Sequence, residues 1–138
     1  MTGKLRRLIL NLAAAALVAT PTIAPADRAA PMPGVQGRFV HHVYFWLNRP
    51  DSPEDRAALI AGLRALAAAP TIRASHIGVP AATDRDVIDR SYAVSWMLLF
   101  DSKEDQDRYQ VDPIHLKFVK DCSPLWKRVV VYDSEPAN

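Results

Sequence analysis

The chain has 138 residues, of which 49% are hydrophobic and 23% charged, with a formal charge of +2. That is room for one domain with an ordinary globular core. The lone cysteine, Cys122, excludes an intramolecular disulfide and reads as a small buried apolar residue.

In chain order, residues 1–26 read as a signal peptide. Lys4, Arg6 and Arg7 form a positive start, Leu8 to Val18 is an apolar run of 11 residues broken by Asn11, and Ala24-Pro25-Ala26 offers small residues for cleavage. The run is shorter than the about 20 residues a membrane-spanning helix needs. Export to the periplasm or the medium is the expectation. Cleavage would remove three of the 17 Lys+Arg and none of the 15 Asp+Glu, moving the balance from +2 to −1. No case for nucleic-acid binding survives that change.

Residues 27–37 are rich in Pro, Gly and Ala and read as a flexible leader, which leaves 38–138 as the folded domain. Arg38 to Leu47 is strand-like in its Val, Phe, Tyr and Trp content. Ser52-Pro53-Glu54-Asp55 supplies an N-cap, a first-turn proline and two acids at the positive end of a dipole. The spacing of Leu59, Leu63 and Leu66 predicts a helix from there to about Ala69. Thr71 to Val79 reads as a short polar strand, residues 80–90 as a charged loop, and Ser91 to Asp101 as a strong strand. Ser102-Lys103-Glu104-Asp105 opens a second helix to about Val111. Asp112-Pro113 restarts it and carries it to Ser123-Pro124, and Lys127 to Asp133 is the last strand. The order β-α-β-β-α-β predicts an α+β, ferredoxin-like fold with a four-stranded antiparallel sheet, the first and third strands central.

Both central strands are apolar on both faces. Tyr92, Val94, Trp96, Leu98 and Phe100 oppose Ala93, Ser95, Met97 and Leu99; Phe39, Val43, Phe45 and Leu47 oppose Val40, Tyr44 and Trp46. Two helices cover one face only, so the other would expose an apolar patch too large for a monomer. A second copy, sheet against sheet, is the expected cover, giving a homodimer.

The segment Tyr109-Gln-Val-Asp-Pro-Ile-His115-Leu-Lys-Phe118-Val119 sets a phenol just before a helix start and an imidazole on its first turn, on the side of Phe118 and Cys122. A titratable imidazole beside a phenol in an apolar setting suits acid–base chemistry on a small molecule. Tyr44, Trp46 and Trp96 are expected to help line the ligand pocket. Adjacent strand residues face opposite ways, so His41 and His42 cannot share a metal ion. With four histidines, one cysteine and no paired zinc-type spacing, no metal site is expected.

From Phe39 to Asp133 the chain resembles the stress-responsive dimeric A/B-barrel family. Val40-His41-His42-Val43, Gly78 with Pro80-Ala81, and Ser91-Tyr92 carry part of the likeness. The specific part is the Tyr109–Val119 block with Trp126-Lys-Arg-Val-Val-Val-Tyr132-Asp133. The resemblance implies a ferredoxin-like homodimer whose sheets close into a barrel. A more distant likeness, to the plant member olivetolic acid cyclase, implies that His115 is a catalytic base and Tyr109 its partner. It also implies that His42 lines the pocket, turned to the helices with His41 on the far face. Asp112 stands where the family often has histidine, and Val94 near the plant enzyme's third-strand histidine. The expected function is an exported homodimer that binds a small apolar ligand at His115, Tyr109, His42, Tyr44, Trp46, Trp96 and Phe118, with cyclase- or isomerase-type chemistry and no cofactor. The alternative is a non-catalytic, stress-associated binding or stability protein.

Overall fold

A computed structural model describes residues 34–35 and 38–137. The expected signal peptide and most of the leader lie outside them. The elements are β1 (Phe39–Leu47), α1 (Pro53–Leu66), β2 (Ala74–Gly78), β3 (Val94–Phe100), α2 (Lys103–Gln110), α3 (Pro113–Cys122), a 3-10 turn (Ser123–Leu125) and β4 (Trp126–Ser134). The strands form one sheet in the order β2-β3-β1-β4, with every neighbouring pair antiparallel. This is the ferredoxin-like arrangement, with β1 and β3 central and the helices on one face.

Local chemistry sets the helix starts. The Ser52 side chain accepts from the backbone N of Asp55 at 3.1 Å, Ser102 accepts from Asp105 at 3.3 Å, and Asp112 accepts from Ile114 at 2.8 Å. Each satisfies an amide that has no partner inside its helix. The expected reach of α1 to Ala69 is too long. Its end tightens, with Ala68 N bonding Ala65 O and Ala69 N bonding Leu66 O, because the residue before Pro70 resists helical geometry. Both strands of the β2–β3 pair are likewise shorter than expected. Ile72 N turns back onto Ala69 O, and Ser91 to Ala93 precede β3 rather than belong to it.

The core lies between sheet and helices. Phe39, Val43, Phe45 and Leu47 of β1 and Val94, Trp96, Leu98 and Phe100 of β3 meet Leu59, Leu63 and Leu66 of α1 with Tyr109, Phe118 and Cys122. Burying each large side chain contributes roughly 1.5–3 kcal/mol. Gly62 is what lets α3 approach α1: a Cβ there would sit 2.5 Å from Cys122 Sγ and 3.3 Å from the Phe118 ring.

Register separates the two faces. Val43 pairs with Trp96 and Val131, while Tyr44 pairs with Ser95 and Val130. Odd-numbered β1 residues therefore face the helices. Val40, His42, Tyr44 and Trp46 occupy the open face, each half-buried. The division of apolar residues between faces matches the sequence pattern within β1 and β3. Tyr92, which precedes β3, instead joins Tyr44 on the open side, and Ala93 joins the core. The expected orientation of the two histidines is also reversed. His41 faces the helices and is buried; His42 faces away. Period-two alternation places His42 with Val40 and Tyr44, and nothing in the strand breaks that alternation at this point.

Candidate functional site

Between the β1/β4 side of the sheet and the helices lies a cavity of about 140 Å³. Its apolar wall includes Val43, Phe45, Leu66, Trp96, Phe118 and Trp126, and its polar groups come from His41, Tyr109, Gln110 and His115. Among the described residues no lysine, arginine, aspartate or glutamate lines it. Val119, Val129 and Val131 also line it and are exposed, so the mouth is apolar too.

Tyr109 closes α2 and is almost wholly buried. Its ring lies 4.5 Å from that of His115 and 6.1 Å from that of His41, centroid to centroid. Burial raises the phenol's pKa far above its ordinary value, and the nearby Trp96 indole offsets part of that rise. The hydroxyl is therefore a standing proton donor at physiological pH. Trp96 Nε1 is buried with no hydrogen-bond partner of normal geometry.

His115 sits on the first turn of α3, held there by the Asp112 cap and by Pro113. Its Nδ1 is 3.0 Å from the Gln110 carbonyl oxygen. A carbonyl can only accept, so Nδ1 carries the proton and Nε2 keeps its lone pair. This contact also caps α2, whose last carbonyls lack helical partners. Burial lowers the His115 pKa; the Gln110 bond opposes that, the His41 ring adds to it, and Asp112 opposes it.

His41 gains its order from across the sheet. It pairs in register with Asp133 of β4, and its Nδ1 is 2.6 Å from Asp133 Oδ1. A carboxylate accepts only, so Nδ1–H donates and Nε2 is again the free nitrogen. The sequence reading missed both residues: it sent His41 to the far face, and Asp133 served only as a strand end. A strand histidine that faces the helices by parity, with a carboxylate on a strand in register with it, was the available signal.

The structure thus brings His115, Tyr109, Trp96 and Phe118 together at one cavity. It does not bring His42, Tyr44 or Trp46 there. They lie across the sheet, where Tyr44 and Trp46 line a separate concavity of about 310 Å³ with Asp89, Tyr92 and Tyr132. Arg128 stacks its guanidinium 4.3 Å over the Trp46 ring. Among the described residues no three His, Cys, Asp or Glu side chains converge to hold a metal ion. No helix among them is long and apolar enough to cross a membrane.

The model of the stress responsive A/B barrel domain matches residues 39–136. A member of that family from Mesorhizobium loti, with a ferredoxin-like fold, is 21% identical; the match spans 75% of this chain and 100% of that one, with a TM-score of 0.62. A hydroxynitrile lyase from Passiflora edulis is 21% identical over 72% of this chain and 94% of its own, with a TM-score of 0.60. A dimeric ferredoxin-like protein of unknown function from Thermobifida fusca is 21% identical over 73% and 93%, with a TM-score of 0.57. Likeness at this level speaks for the fold alone, and the expected resemblance to olivetolic acid cyclase is not shown by these relatives. No curated protein matches the chain. The match covers the whole described sheet and all three helices, and on it the chain belongs to the stress responsive A/B barrel domain family.

Proposed function

We propose that this protein is an exported homodimer that binds a small, neutral, largely apolar molecule in the cavity of each copy and acts on it by acid–base chemistry. The observation that carries this reading is the convergence of two imidazoles and a phenol on one apolar cavity. Each imidazole has Nδ1 committed elsewhere, to Asp133 or to the Gln110 carbonyl, and Nε2 free. Such a base takes a proton from an activated C–H or a hydroxyl. The Tyr109 hydroxyl then donates to the oxygen on which negative charge develops. With no cationic side chain in the wall, an anionic substrate group finds no partner. The volume suits one ring or a short chain, since a cavity of roughly 150 Å³ accommodates benzene. A longer tail would lie across the exposed valines of the mouth. The chemistry at the lyase relative from Passiflora edulis fits this class but is not transferred by fold alone.

Dimerisation rests on the open sheet face, where Val40, Tyr44, Trp46, Met97 and Val130 remain only half-buried in one copy. The dimeric relative from Thermobifida fusca supports it. Export rests on the charge, apolar run and small residues of 1–26.

The test is turnover of a panel of β-keto thioesters and aromatic cyanohydrins by the parent and by His115→Ala. Loss of turnover in the variant, with binding retained, is expected. Turnover by the variant equal to the parent's would remove His115 from the mechanism.

One observation favours a second, non-catalytic reading. The cavity is smaller than the about 300–1,000 Å³ typical of ligand sites. A binding or stability protein would show saturable binding of such molecules and no conversion of any of them.

A further inference from the structure

The open face of the sheet carries a second pair of histidines, which the cavity chemistry does not use. His42 of β1 and His76 of β2 both pair in register with Met97 of β3, one on either side of it. The two imidazoles therefore share the face turned away from the helices. The Tyr44 ring lies 4.4 Å from that of His42, and its hydroxyl is 3.2 Å from His42 Nδ1. On the opposite flank β4 sets Tyr132 beside His42. His76 leans along its own strand: a Cβ on Gly78 would sit 3.2 Å from His76 Cε1 and 2.6 Å from Ser95 Oγ, so only glycine permits the approach.

The other titratable or charged groups on this side are few; at the far end of β1 and β3, Asp101 pairs with Arg38 and Arg73. Tyr44, Tyr92 and Tyr132 form an edge-on cluster. Arg128 stacks on Trp46. Asp89 lies with Trp46 and Tyr92, held at 2.7 Å by the backbone N of Ser91. No ion pair to His42 or His76 forms among the described residues.

We propose that His42 and His76 make the sheet-to-sheet dimer acid-labile, so that protonation at mildly acidic pH separates the two copies. The proposal rests on the dimer reading given above. A second copy seated on this face strips the remaining water from His42 and covers His76. Neutral imidazoles tolerate that setting; imidazolium ions buried there face one another with no ion-paired carboxylate. Burial already lowers the His42 pKa within one copy, with His76 and then His41 adding to the effect. Separated copies then take up protons that the dimer refuses. The sign follows: the dimer is complete above the midpoint that His42 has in a separate copy, which burial already sets below the ordinary imidazole value, and it weakens as pH falls below that midpoint. Each linked proton changes the dissociation constant about tenfold per pH unit in that range.

Sedimentation equilibrium of the purified protein from pH 7.5 to 5.5 tests this, alongside His42→Gln, His76→Gln and the double variant. The dimer Kd of the parent should rise at least about tenfold across the range, and that of the double variant by less than about threefold. Circular dichroism at pH 5.5 should show the parent still folded. His76→Gln alone, at an exposed ring, should flatten the dependence and keeps the test open if His42→Gln fails to fold. A flat parent profile, acid dissociation of the double variant as steep as the parent's, or unfolding in place of dissociation would each overturn the proposal. A single copy already at pH 7.5 would instead overturn the dimer reading itself.

Discussion

Asp133 decides which nitrogen of His41 is free. With the carboxylate 2.6 Å from Nδ1, the proton stays there; an amide in its place can turn and donate, moving the proton to Nε2. Asp133→Asn should therefore mix the His41 tautomers, visible as changed ¹⁵N shifts of that imidazole, and cut any turnover on the order of 10²-fold with little change in KM. Unchanged tautomers and unchanged turnover would reduce the pair to a structural tie. The His115 imidazole gives a prediction in pH. Burial lowers its pKa, so its NMR titration midpoint should fall below 6.5, and turnover that uses it as base should fall as pH drops through that lowered value. The same shift bears on stability. The unfolded imidazole takes its proton at about 6.5, so the contribution of neutral His115 is complete above that pH and is lost below it. A midpoint above 6.5 would contradict the apolar setting. At this scale the sequence was half legible. Tyr109 and His115 announce themselves by falling on either side of an Asp-Pro helix start. His41 and Asp133 lie 92 residues apart and meet only because β1 and β4 pair in one register, which no local pattern reveals.

Elements were the most legible level, because caps and periods are local. Ser52, Ser102 and Asp112 each cap the helix that their side chains announce, and Leu59, Leu63 and Leu66 turn to the core as their spacing requires. Helix ends and edge strands were less so, since their limits depend on tertiary contacts rather than on a capping side chain. Asp112 is the cap that matters to the site, for it holds the turn on which His115 rides. Asp112→Ala should lower stability by about 0.5–2 kcal/mol in urea unfolding and broaden the His115 resonances. If His115 stays sharp, the Gln110 contact alone suffices to place it. The α1–α3 contact makes a separate prediction, because nothing in the sequence marks Gly62 as special. Gly62→Ala should cost about 1–3 kcal/mol by overpacking against Cys122 and Phe118. Cys122→Ala in the same chain should recover most of that loss. Additive losses in the pair would show that the two positions are not in contact.

At the scale of the whole molecule, two apolar faces on one sheet have different fates. One is covered within the chain by α1, α2 and α3 and holds the cavity; the other is the face on which the proposed dimer would seat a second copy. The cavity draws its walls from β1, β3 and β4 and from all three helices of a single chain, so it does not need the partner for its geometry. Separating the copies should therefore leave the cavity intact. Tyr132 offers the means. It stands on the open face of edge strand β4 and is 64% exposed in one copy, so a charge there costs the fold little and the interface much. Tyr132→Lys should sediment as a single copy at pH 7.5 with an unchanged far-UV spectrum. Trp46, freed from the partner, should shift the emission to the red, while Trp96, buried on the helix side, should not respond. The His41 and His115 tautomers should match the parent's, and binding of a single-ring probe should persist. A variant that remains dimeric would place the interface elsewhere. One that separates but loses the probe would show that the partner closes the apolar mouth at Val119, Val129 and Val131.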